Sequence, residues 1–190
     1  MPRQNALLMT SPQTLSEDDR RLLALWAAGC AERVLGLFEA ASPGDDRPRR
    51  AIGRARAFGS GDLAVAEAIR LRFEGGAAAR DAGSPAAAAA ARAAGQAAAV
   101  CHMGAHALGA AGYAARAIGL AHPDNLEAIA TEIEWQIASM TSEVRDGLRS
   151  LPMVGTDRSG PLGPGMLASG ELGRIIRTIQ RAVGAGDPTG

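Results

Sequence analysis

From Ala93 to Ala115 the chain carries no formal charge and is mostly alanine and glycine, with Gln96, His102, His106 and Tyr113 set into it. A bilayer span needs about 20 apolar residues, so the run is long enough by length alone. Its content argues against a span. Alanine and glycine gain little on transfer, and an amide and two imidazoles are costly at depth. Large apolar side chains are few: Val100, Met103 and Leu108. The run reads as a buried helix of a soluble core, packed closely through small side chains. Glycine inside a helix costs roughly 0.5–1 kcal/mol against alanine. Gly95, Gly104, Gly109 and Gly112 therefore require a reason, which a neighbouring helix or a ligand at close range would supply.

The rest of the 190-residue chain reads as helices joined by Gly/Pro/Asp stretches. Ser16 can cap a helix through Ala40, with acids in the first turn and Leu22, Leu23, Trp26, Cys30, Val34, Leu37 and Phe38 at helical spacing. Asp46 can cap a second, with Pro48 in its first turn. A third starts near Asp62. Ser84-Pro85 opens a fourth, the alanine-rich helix, running to about Leu120. A fifth follows Pro123 to about Leu148, with a break near Thr141-Ser142. Residues 151–170 are Gly/Pro-rich and read as a linker or a draped loop. Leu172, Ile175, Ile176, Ile179 and Val183 make one side of a short C-terminal helix. Aromatics at 3% are low for a β-rich fold, and no strand-like alternation occurs. The expected fold is all-α: a single-domain bundle of about five helices with a Gly/Pro-rich arm and a short amphipathic helix. Its parts are a flexible leader over 1–14, a helical domain over 15–150, a linker over 151–170, and a helix and tail over 171–190.

On a continuous helix at about 100° per residue, His102, His106, Tyr113 and Arg116 fall within roughly 80° of one another. They would line one strip about 20 Å long. Three readings stay open for it: satisfied core or surface polars, a recognition strip, or part of a metal site. Two histidines four apart can share an ion, but zinc wants three or four ligands. The residue after His102 is Met, so the metalloprotease pattern is absent. In "EIEWQIASM", Trp135 lies off the apolar face of Ile129, Ile133 and Ile137. It meets either a second helix or a partner, since Trp is enriched in binding hot spots; Glu134 and Gln136 flank it. "DDRPRRAIGRAR" gathers Asp46, Arg47, Arg49 and Arg50. It reads either as a salt-bridged helix start or as a grip for carboxylate or phosphate.

Twenty acids balance 20 arginines, and there is no lysine. Zero net charge and the lack of interleaved aromatics argue against nucleic acid as a partner. Two cysteines, Cys30 and Cys101, form no framework, and the N-terminus lacks a secretory pattern, so a cytoplasmic protein is expected. No nucleophile elbow, Walker loop or dinucleotide fingerprint appears, and no cofactor or metal is assigned.

The strings "LSEDDRRLLALWAAGCAERVLGLFE", "DDRPRRAI", "HMGAHALGAAGYAARAI" and "EWQ…EVRDGL", in that order, resemble a bacterial family of immunity proteins common in actinobacteria. The resemblance covers about residues 15–150. Asp46, Arg47, Pro48, Arg49, His102, His106, Tyr113, Trp135 and Gln136 match its pattern. The run after "EWQ" departs from it, lacking the proline of a sequence nearer to "RxxLPEEVR", and the tail from 151 has no counterpart. The resemblance implies an all-α protein that neutralises a toxin by binding it.

Two function classes are carried forward. The first is a binding protein for a protein toxin or small molecule, using Asp46, Arg47, Arg49, Arg50, Arg116, Trp135 and Gln136 with the histidine strip. The second is a small enzyme or self-resistance protein in which His102 or His106 acts as general base, or both hold a metal, with Tyr113 and Glu134 assisting. A homo-oligomer formed through the Ala/Gly face is a further alternative.

Overall fold

The computed structural model describes residues 11–185; the first ten residues of the expected leader lie outside them. The described residues form nine α-helices and no strand: α1 (Glu17–Ala41), α2 (Arg47–Ser60), α3 (Val65–Leu71), α4 (Glu74–Ala78), α5 (Pro85–Ala99), α6 (His106–Ala121), α7 (Ala128–Ala138), α8 (Ser142–Arg149) and α9 (Gly170–Gly184). None is long and apolar enough to cross a membrane. The all-α expectation holds, but about five helices was too few. Three of the expected helices are each divided, at Arg72-Phe73, at 100–105 and at 139–141.

Capping follows local chemistry. Ser16 Oγ accepts from the Asp19 N–H, Ser84 Oγ from Ala87 and Thr141 Oγ1 from Val144. Asp46 does not cap α2. Its neighbour Asp45 takes that part, its Oδ1 accepting from the Arg47 N–H at 3.1 Å.

The division at 100–105 overturns the single 85–120 helix. Gly104 N–H donates to Thr14 O and Ala105 N–H to Gln13 O, each at 3.1 Å. Backbone from the chain's beginning thus replaces the carbonyls that a continuous helix would have offered. Gln13 is itself buried, and its amide reaches the other end of the chain. Nε2 donates to Asp157 Oδ2 and Ser159 O at 2.6 Å, and Oε1 accepts from the Leu162 N–H at 2.9 Å.

The core lies between α1, α5 and α6, which pack on one another, with α2 across α1 and α5. Leu23, Trp26, Cys30, Val34 and Phe38 of α1 meet the alanines of α5 and α6. Cys30 and Cys101 are buried free thiols. The Gly/Pro-rich segment is draped over the body, burying Leu151, Val154, Leu162 and Leu167. It leads into α9, which packs on α6 through Leu172, Ile175, Ile176 and Ile179. Gly112 permits this approach: a Cβ there would stand 2.8 Å from Ile176 Cγ1 and 3.0 Å from Leu172 Cδ1.

Candidate functional site

The break between α5 and α6 opens a cavity of about 500 Å³. Its wall includes Arg72 and Phe73 from the α3–α4 joint, Arg92 and Gln96 from α5, His102 from the break, His106 and Tyr113 from α6, and Met166 from the draped segment. Gly95, whose place in a helix required a reason, also borders it. His102, His106 and Tyr113 do share one space. The cause is not a continuous helical strip, since His102 sits on no helix.

His106 Nδ1 lies 2.8 Å from Gln96 Oε1. A carbonyl oxygen can only accept, so the imidazole proton sits on Nδ1 and Nε2 is left bare. Gly109 makes this pair possible, because a Cβ there would collide with Gln96 Oε1. Burial, then the charges of His102 and Arg72, push the His106 pKa down to about 4, so the ring is neutral at neutral pH. His102, more open at the rim, is also held below the ordinary imidazole value, by partial burial and then by Arg72 and Arg20. Tyr113 is buried, which raises its phenol above the ordinary value, and its hydroxyl donates to Met166 Sδ at 2.8 Å. A thioether is a weak acceptor.

Two guanidinium groups complete the wall. Arg72 stacks on the Phe73 ring at 4.0 Å and donates to Ile69 O, while Arg92 stands 5.9 Å from the Tyr113 ring centroid. Among the described side chains no Asp or Glu lines the cavity, and neither arginine has a carboxylate partner. Arg72 and Arg92 were not singled out in the sequence. Arg72 follows Arg70 in an ordinary helical run and Arg92 stands in a run of alanines 20 positions on, and no spacing links the two.

The remaining candidates lie elsewhere. Arg116 is outside the cavity wall, its Nε 3.7 Å from Glu171 Oε2. Arg47 is engaged by Asp45 at 2.6 Å and Asp81 at 2.7 Å, Arg49 by Glu39 at 2.6 Å, and Arg50 by Asp46 at 3.6 Å. Gln136 is fully buried rather than on a binding surface. Its Nε2 donates to Ala111 O and Glu132 Oε1, and its backbone carbonyl accepts from Trp26 Nε1. Glu132, 2% exposed, is held by Arg33 at 2.9 Å, and the Arg33 guanidinium lies 3.9 Å over the ring of Trp135. Glu134 borders a second groove, between α7 and α9, where Ile129, Ile133, Ile137 and Ile175 make the floor and Leu126 stands 95% exposed. Glu134 is therefore not grouped with the histidines. Among the described residues, no group of three or more His, Cys, Asp or Glu is placed to hold a metal ion.

No curated protein and no solved structure matches the chain significantly. A family model described as "Imm-5 like putative immunity protein" matches residues 13–143.

Proposed function

Because the chain belongs to the Imm-5 like family of immunity proteins, we propose that it neutralises a protein toxin by binding it, using the face around the α5–α6 cavity. The observation that carries the choice of face is the open wall holding Arg72, Arg92, His102 and His106, with no acid among its described side chains. Groups left uncompensated on one molecule are the ones a partner can complete. The arginines at the start of α2 already have carboxylates and offer less.

The enzyme reading draws less support. A general base works best with a pKa near the working pH. His106, pushed down to about 4, is too weak a proton acceptor for that, and Glu134 faces another groove.

The test is calorimetric titration of the chain with the toxin encoded beside its gene. His102→Trp adds bulk at the exposed rim without entering the core. It should weaken the complex by about tenfold or more and leave the thermal melt unchanged. Unchanged capture would remove this face from the proposal, and no complex with the wild-type chain would remove neutralisation by binding.

A further inference from the structure

We infer that the cavity is a receptor for one phosphate or carboxylate group, received by Arg72 and Arg92 and by the hydroxyl of Tyr113. This goes beyond neutralisation, since it is a property of the chain alone.

The two arginines differ in how they are held. Arg72 is fixed by its stacking on Phe73 and by one hydrogen bond to Ile69 O. A guanidinium has five N–H donors, so most of its fork is left for an incoming oxygen. Arg92 is exposed and has only the distant face of Tyr113 as company. Charge-assisted hydrogen bonds from arginine to an oxyanion are about twice as strong as neutral ones. Burial is the main cause of the lowered pKa of both histidines, and the Arg72 charge adds to it in each.

Tyr113 supplies the third donor. Its present acceptor is the sulfur of Met166, a residue 67% exposed on the single 3₁₀ turn Met166–Ala168. Exchanging a thioether for an anionic oxygen strengthens the bond. Met166 gives up little covered surface by turning outward, so the bond to sulfur holds the place of a ligand oxygen.

His106 ranks the two anions. With its proton on Nδ1 toward Gln96, Nε2 can only accept. A carboxylate brings no proton to meet it. A hydrogen phosphate brings both anionic oxygens and one P–OH, and so matches the whole wall. The cavity volume exceeds that of phosphate alone and falls in the range of small-molecule sites. It leaves room for the organic part of a phosphorylated small molecule, or for the acidic side chain of a protein.

The probe is sodium orthophosphate, added to the full chain at constant ionic strength balanced with chloride, and followed by NMR at the Gly76 and Gly95 amides and the His102 and His106 rings. Saturable shifts are expected. Arg72→Gln and Arg92→Gln should each weaken binding by about tenfold or more. Arg49→Gln should bind as wild type, and Arg92, being exposed, keeps the test valid if the Arg72 variant misfolds. Shifts that never saturate, or an equal loss in Arg49→Gln, overturn the site. A second arm identifies the natural source of the anion. Phosphate that displaces the toxin assigns the site to an acidic side chain of that partner. Phosphate that binds the toxin complex unchanged assigns it to a free anion. A wild-type chain that binds phosphate and no toxin overturns the proposed function and leaves the receptor standing. A toxin complex without saturable phosphate binding does the reverse.

Discussion

Two sets of arginines divide this molecule. At the start of α2, five arginines crowd into "DDRPRRAIGRAR", and Arg47, Arg49, Arg50 and Arg56 are paired with Asp45 and Asp81, Glu39, Asp46 and Glu32. At the cavity Arg72 and Arg92 are brought together by folding, and among the described residues neither meets a carboxylate. The denser cluster offers less charge to a partner than the sparse one. Asp45 and Asp46 meet Arg47 and Arg50 at i,i+2 and i,i+4, and folding brings Asp81, Glu39 and Glu32 to the cluster. Among the described residues no acid is brought to Arg72 or Arg92 in this way, and their field persists where the wall is partly sheltered from water.

The comparison breaks most readily through binding. Reversing both cavity arginines, Arg72→Glu with Arg92→Glu, should cost on the order of a hundredfold or more in toxin affinity. Reversing Arg49 and Arg56 should stay within about threefold, both read by surface plasmon resonance. Equal losses would erase the distinction.

Acid titration sharpens it next, because the two regions respond in separate windows. The folded His106 pKa, about 4, lies below the ordinary imidazole value of 6.5. Between these values the unfolded chain binds more protons, so stability falls as pH drops through the window. The fall levels off below about pH 4 and amounts to about 3 kcal/mol at most. Asp45 is lowered as well, chiefly by its hydrogen bonds to Arg47. Its contribution is complete above the ordinary carboxylate value and is lost only as pH falls through the lowered one. Denaturant midpoints measured from pH 7 to pH 3 should show the cavity's decline first. Arg72→Gln should shrink that decline, since Arg72 contributes to the shift.

Smaller effects test the pairing itself. Arg47→Ala should lower the melting temperature by about 2 °C, and Arg92→Ala should leave it unmoved, by differential scanning calorimetry. Smallest of all, Tyr113→Phe should change stability by no more than about 0.5 kcal/mol, because the lost acceptor is a thioether. The same variant should weaken phosphate binding.

Much of the scaffold could be read from residues alone. Ser16 and Ser84 cap where serine ahead of an acid-rich or proline start should cap, and the break at Thr141 falls where a threonine interrupts the apolar rhythm. Gly95, Gly109 and Gly112 do border a cavity, a neighbouring amide and a packed helix. The break at 100–105 is invisible in the sequence because no proline or cap marks it; its cause is the backbone of Gln13 and Thr14, ninety or more positions away. Gln136 misled for a related reason. Beside Trp135 it looks like a surface group, yet its carbonyl and amide are used by Trp26 and Ala111 on other helices. His102, His106 and Tyr113 border one cavity, but not through the continuous helix that the helical wheel assumes. Arg116, placed by that wheel, lies outside the cavity wall.

The amide of Gln13 has a consequence in time. Its partners at Asp157, Ser159 and Leu162 are made 144 to 149 residues later. At synthesis rates of about 5–20 residues per second, that is roughly 7 to 30 seconds on the ribosome. Until then the turn that seals the gap between α5 and α6 is held from one side only. A nascent chain stalled short of Leu162 should stay open to proteases near Gln13, and the finished chain should not.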